Sequence, residues 1–289
     1  MFRPVAIRLL SETSAMILLS AFADEISADP VEQVDVLDSL GIRHIEFRSI
    51  FGTNVLDLSE AQHESFRTLL RGRGFALSAI GSPVGKIQAT DPFEPHLARF
   101  QKAIEIAEFH EAPRIRVFSF YIPTGDDPAT HRDEVLARMG ELARIAAGRG
   151  VELYLENEKG IYGDTAIRVL DILESVDSPA LAHAFDPANY LEVGQEINEA
   201  WDLLRSRTAH IHVKDYDAKT KSMVPAGEGQ GQIPRIIAEA VSDGFDGFCT
   251  LEPHLIVAGK SHGFTGPDRF GDAARALQDA LDRKGVSYA

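Results

Sequence analysis

Strand-like and helix-like runs alternate eight times along this chain, and that alternation limits the fold more than any other feature. Each short run rich in Val, Ile, Leu and Phe is followed by a longer segment with apolar residues at helical spacing. The pattern predicts strands at Ile17–Phe22, His44–Phe47, Phe75–Ile80, Arg114–Phe120, Val151–Leu155, Leu181–Phe185, Thr208–Val213 and Gly247–Leu251. Helices are expected over Pro30–Leu40, Ser59–Arg73, Phe93–Phe109, Pro128–Ala147, Thr165–Val176, Ile197–Arg205, Ile233–Ser242 and Asp268–Arg283. Asp29 and Ser59 are the natural N-caps, and Gly41, Gly74 and Gly148 the stops. Strands that alternate with helices pair in parallel. Eight such units close most simply into an α/β architecture of the (β/α)₈ TIM-barrel type, because closure removes both sheet edges. An open doubly wound sheet is the alternative, but no glycine-rich dinucleotide turn follows the first strand, where Ala23-Asp24-Glu25 stands.

A barrel of 289 residues is ordinarily one domain. Residues 16–289 are read as that barrel, and residues 1–15 as a loose N-terminal extension. Against 29 Lys and Arg stand 44 Asp and Glu, so the net charge of -15 repels a phosphate backbone and argues against nucleic acid as partner. The single cysteine, Cys249, rules out an intramolecular disulfide and a Cys-rich zinc site, and fits a small core residue. No stretch approaches a signal peptide or a membrane span, so a cytoplasmic protein with no membrane partner is expected, with room for a homo-oligomer.

The chemistry gathers at the ends of the later strands. In Ala209-His210-Ile211-His212-Val213-Lys214-Asp215, a period of two puts His210, His212 and Lys214 on one face and Ile211 and Val213 on the other. Polar groups on the inner face of a buried strand are costly unless something binds them. The fifth, sixth and eighth strands run into Glu156, Asp186 and Glu252. In a barrel these ends open on one face, and three converging carboxylates without a cation would repel one another. Glu156, Asp186, His212 and Glu252 are therefore expected to hold one divalent ion, Mn²⁺ or Mg²⁺ ahead of Zn²⁺ or Co²⁺. His210, one pleat deeper, is read as a supporting or packing histidine.

The strand ends Leu155-Glu156-Asn157, Phe185-Asp186-Pro187-Ala188-Asn189, His210-Ile211-His212-Val213-Lys214-Asp215 and Leu251-Glu252-Pro253-His254 resemble the xylose isomerase-like TIM-barrel superfamily, and most of all its sugar phosphate isomerase/epimerase branch. Pro225-Ala226-Gly227-Glu228-Gly229 and Ser82-Pro83-Val84-Gly85-Lys86 fit the same branch. The resemblance implies the same four metal ligands. In ketose 3-epimerases it also implies that the two glutamates, here Glu156 and Glu252, exchange protons with the carbon next to the carbonyl while the metal stabilises an enediolate. Those enzymes carry a histidine where this chain has Asn189, an amide that orients a hydroxyl but exchanges no proton. Lys214, His254 and Glu158 are the replacements for that function, Lys214 on the condition that burial lowers its pKa. Lys86, Glu158, Asn189, His254 and Glu46 are placed against the substrate, and Arg116 is expected to pair with Glu46 inside the barrel.

The leading expectation is a metal-dependent isomerase or epimerase of a sugar, sugar phosphate or keto-polyol, with a small carbohydrate as partner. A lyase or dehydratase resembling inosose dehydratase shares the first step and is the runner-up. An endonuclease IV-like nuclease needs more histidines near the strand ends, while His63, His96, His110 and His131 fall on helices or their edges. A barrel that only binds sugar is the non-catalytic alternative, and Gly227-Glu228-Gly229 is a candidate lid.

Overall fold

Eight parallel strands close into a ring in the computed structural model, which describes residues 16–256 and 263–289. They are β1 (Met16–Ala21), β2 (His44–Phe47), β3 (Ala76–Ile80), β4 (Arg114–Val117), β5 (Glu152–Glu156), β6 (Leu181–Phe185), β7 (Thr208–Val213) and β8 (Phe248–Leu251). Each pairs with its neighbour in chain order, and β8 returns to β1 in a register running from Leu18 opposite Phe248 to Ala21 opposite Leu251. The fold is thus the expected TIM barrel. The expected extension over residues 1–15 lies outside the described residues. Among the described residues no helix is long and apolar enough to cross a membrane.

The intervening helices are α1 (Pro30–Ser39), α2 (Glu60–Arg73), α3 (Phe93–His110), α4 (Arg132–Arg149), α5 (Ala166–Val176), α6 (Pro187–Glu192), α7 (Ile197–Leu204), α8 (Ile233–Ser242) and α9 (Pro267–Lys284). Local chemistry sets their starts: Val31 N–H donates to Asp29 Oδ1 at 2.9 Å, and Ser59 and Gln62 form a reciprocal capping box. Phe66, Phe100, Leu142, Ile172, Trp201 and Leu277 are buried on the helices. Each such side chain contributes about 1.5–3 kcal/mol of hydrophobic stabilisation. By contrast Ser20, Glu46, Ser78, His210, His212 and Thr250 are buried polar residues on the strands.

Three departures from the expected elements have a local cause. Strand β4 stops at Val117, not Phe120, because Phe118 N–H turns away to donate to Val84 O at 2.8 Å and Phe120 adopts a left-handed φ of 66°. The expected helix from Pro128 begins as a 3₁₀ turn, Pro128–His131, before α4. Helix α6 was not expected; Asp186 caps it, accepting from Asn189 N–H at 2.9 Å, and Pro187 fills its first position. An Asp-Pro pair after a strand is the start signal that could have revealed it.

Candidate metal centre and its cavity

Closure of the barrel carries the C-terminal ends of all eight strands to one face. There Glu156 from β5, Asp186 after β6, His212 from β7 and Glu252 after β8 converge, each with one ligand atom within 4.8 Å of the others. All four are buried. His212 Nδ1 stands 3.5 Å from Glu156 Oε1 and 3.6 Å from Glu252 Oε2. Among the described residues neither His212 Nδ1 nor Glu252 Oε2 has a hydrogen-bond partner. Two donors that each stand about 2.1 Å from a shared ion lie roughly 3.0–3.5 Å apart. The spacing and the two orphaned atoms therefore suit a divalent cation, and the oxygen-rich donor set suits a hard one.

The electrostatics point the same way. Burial pushes the Asp186 carboxyl up, against the opposing pull of Lys214. At Glu156 and Glu252 burial acts in the same direction but is outweighed, at Glu156 by His212 and Arg116 and at Glu252 by Lys214 and His254, so both are held below the usual carboxylate range. Burial disfavours a charged His212, yet Glu156 and Glu46 overcome it and raise its pKa well above the usual histidine value. Without an ion, a proton on His212 supplies the positive charge that the carboxylates demand. An imidazole ligand must be neutral, so an ion held by this cluster would displace that proton.

Neighbouring groups brace each of the four residues. Glu46 Oε2 lies 3.2 Å from His212 Nε2 and 3.0 Å from His210 Nε2, which also contacts Thr250 Oγ1 at 2.7 Å. A carboxylate on the far nitrogen of a ligand histidine fixes its ring and raises its basicity. Arg116 donates to Glu156 Oε2 at 3.1 Å, and Arg48 donates to Glu252 Oε1 at 3.0 Å and to Asp24 Oδ2 at 2.8 Å. The inward oxygens, Glu156 Oε1 and Glu252 Oε2, are the ones that face His212. Asn157 Nδ2 donates to Asp186 O and its Oδ1 accepts from Asp186 N–H, both at 3.0 Å, which locks the β5 and β6 ends together.

The family model for the Xylose isomerase-like TIM barrel matches residues 34–283. The chain belongs to that family. It is similar to the fructoselysine 3-epimerase of Escherichia coli O157:H7, with 24% identity over 117 residues, 39% of this chain and 42% of that protein. The chain spans less than half the length of the curated relatives it matches, 42% and 43%. Solved structures share its fold, two of them as follows. The probable 3-DHS dehydratase involved in petrobactin synthesis from Bacillus anthracis superposes with a TM-score of 0.71 at 20% identity, covering 91% of this chain and 98% of that one. A xylose isomerase-like TIM barrel protein from Mycobacterium smegmatis in complex with magnesium gives a TM-score of 0.67 at 20% identity, covering 92% and 98%.

Above the cluster lies a cavity of about 120 Å³, lined in part by Lys86, Glu156, Glu158, Lys214, Glu252 and His254. A larger cleft of about 810 Å³ opens beside Arg205, Thr208 and Asp246, at the opposite end of β7 and β8 from the carboxylates. Of the residues expected against substrate, Lys86, Glu158 and His254 reach the cavity. Glu46 does not: it is fully buried beneath His212, where its charge holds two histidines. Asn189 is also buried, bridging the site by donating to Glu156 Oε1 at 3.2 Å and accepting from Lys214 Nζ at 3.0 Å. Arg116 favours Glu156 over the expected Glu46, whose Oε1 is 4.0 Å away.

Lys214 Nζ donates to Asp186 Oδ2 at 3.1 Å and lies 3.8 Å from Glu252 Oε2. Burial alone would lower its pKa, but Asp186, Glu252 and Glu156 outweigh burial and raise it. Facing those carboxylates, the side chain favours its ammonium form. Asp215, an alternative partner for Lys214, instead accepts from the Gly227, Gly229 and Gly231 N–H groups at 2.8, 3.1 and 2.8 Å and folds the glycine-rich loop. Sequence reasoning missed Arg48 and Glu25. Glu25 Oε2 accepts from His254 N–H at 2.9 Å and from Thr265 Oγ1 at 2.6 Å, and its Oε1 lies 3.2 Å from His254 Nε2. His63 and His110 pair with each other at 3.0 Å on α2 and α3, away from the strand ends.

Proposed function

We propose that this protein is a divalent-metal-dependent enzyme that isomerises or epimerises a small carbohydrate by moving a proton at the carbon next to its carbonyl. The observation that carries this reading is the buried Glu156–Asp186–His212–Glu252 cluster, with its orphaned His212 Nδ1 and Glu252 Oε2, at the base of a polar cavity. Glu156, Asp186, His212 and Glu252 would hold the ion, Mn²⁺ or Mg²⁺ by their donor set. When bound, it supplies Lewis-acid polarisation of substrate oxygens.

The chain's own groups supply the rest. Glu156 ends β5 and Glu252 follows β8, and the two strands are separated around the ring by β6 and β7. Two carboxylates so placed can reach opposite faces of one carbon: one removes a proton and the other returns it, which inverts the centre. Return by the same carboxylate leads to isomerisation or simple exchange. Lys214, as an ammonium, would steady negative charge that develops on a substrate oxygen. Asn189, with no proton to exchange, keeps Glu156 and Lys214 in place. A dehydratase on the same scaffold is the second reading, favoured by His254 Nε2 at 3.3 Å from Glu252 Oε1, where it can donate to a leaving oxygen.

The test is metal content by elemental analysis, followed by NMR of keto-sugars in deuterated water. About one ion per chain and deuterium uptake next to the carbonyl are expected, with uptake lost in Glu156→Gln and Glu252→Gln. A metal-loaded protein that exchanges no proton of any keto-sugar would refute the reading, and loss of water would select the dehydratase.

A further inference from the structure

Among the described residues, every lysine and arginine that lines the cavity already has an anionic partner. Arg48 is paired with Glu252 and Asp24, Arg116 with Glu156, and Lys214 with Asp186, at 2.8–3.1 Å. Those pairs hold the ligand cluster. The fourth, Lys86 Nζ with Glu158 Oε2 at 2.6 Å, stands at the rim with side chains 34% and 23% exposed. The loop that carries Lys86 is closely packed. Gly85 sits at a φ of +94°, where an added Cβ would lie 1.9 Å from Phe118 O, and its N–H donates to His96 Nε2 at 2.7 Å. The Lys86 ammonium lies 4.2 Å from the centre of the Phe118 ring.

We propose that Lys86 and Glu158 select the uncharged, hydroxyl-bearing end of a keto-polyol and exclude a phosphate or carboxylate at that position. This rests on the enolising reading above and narrows its substrate class. A hydroxyl group both donates and accepts, so adjacent hydroxyls satisfy an ammonium and a carboxylate side by side without separating them. An anion must either part the pair or lie against Glu158, and like charges in contact are penalised. Specificity comes from the repulsive partner as much as from the attractive one.

The experiment compares 2-ketohexoses with their 6-phosphates on the metal-loaded protein, by deuterium exchange and by calorimetric binding. Wild type should favour the neutral sugar by about tenfold or more in kcat/KM. Glu158→Gln frees Lys86 and should bring that ratio to one or below, chiefly through a lower KM for the phosphate. Lys86→Met should raise KM for the neutral sugar while kcat stays within about twofold. A wild-type preference for the phosphate, or a ratio unmoved by Glu158→Gln, overturns the proposal. If neither series exchanges, the enolising reading has failed and binding decides: tighter binding of the neutral sugar upholds the selectivity, whereas tighter binding of the phosphate or no binding overturns it.

Discussion

Glu46→Gln separates a metal centre from a merely polar barrel interior, because the substitution preserves shape while removing the charge and one acceptor oxygen. Glu46 is fully buried, and its Oε2 is shared by His210 and His212 at 3.0 and 3.2 Å. Burial works against its ionisation, but the two histidines outweigh it and keep the carboxyl ionised. Replacing the partner of a ligand histidine typically weakens metal binding about 10–100-fold. At an ion concentration about 100 times the wild-type Kd, the bound ion stabilises wild type by about 2.7 kcal/mol and a variant so weakened by only about 0.4–1.4 kcal/mol. The difference, roughly 1.3–2.3 kcal/mol, corresponds to about 3–9 °C in Tm at ~2–4 °C per kcal/mol. The assay is a thermal melt of each protein with EDTA and with Mn²⁺, read as the metal-induced shift so that any change in the apo fold cancels. An equal Mn²⁺-induced shift in the two proteins, with both folded, would refute the argument that Glu46 tunes the His212 ligand. No shift in either would remove the metal centre itself.

Three further outcomes follow from the same geometry. Burial holds His96 and His110 down, to about 4 and about 3, so the unfolded chain takes up protons that the folded chain refuses. Their stabilising contribution is complete above the usual value of 6.5 and is lost as pH falls from there toward about 4 for His96 and about 3 for His110; urea midpoints across that window should drop, and less so in His96→Gln and His110→Gln. Burial pushes Glu25 up, the opposite sign for stability, so its contribution is complete below 4.5 and fades as pH rises through the folded value; Glu25→Gln should flatten that decline in the same titration. Gly85→Ala places a Cβ 1.9 Å from Phe118 O at a left-handed φ, and the urea midpoint should report a loss of about 2–5 kcal/mol from strain and overpacking together. An unchanged midpoint would mean that the Lys86 loop is not fixed by that contact.

What could be read from the chain and what could not divide along the distance over which the information travels. Glu156, Asp186 and Glu252 end or follow runs whose period of two is local, and His212 shares a face with Lys214 by the same local rule. Their convergence needs only the inference that eight strand-helix units close. The groups that set their chemistry are different in kind. Arg48 meets Glu252 across 204 positions, Glu46 meets His212 across 166, and Glu25 meets Thr265 across 240. No periodicity encodes those meetings, because they arise where β8 closes on β1 and where side chains of opposite strands fill one interior layer. Lys214 shows the consequence: burial alone argued for a lowered pKa, but closure brings Asp186 and Glu252 against it and reverses the sign. Strand ends therefore specify which atoms meet in the site, and the remote arginines and carboxylates specify how basic those atoms are. A barrel of this kind can keep its ligand set and still change its reaction by altering residues that touch neither ion nor substrate.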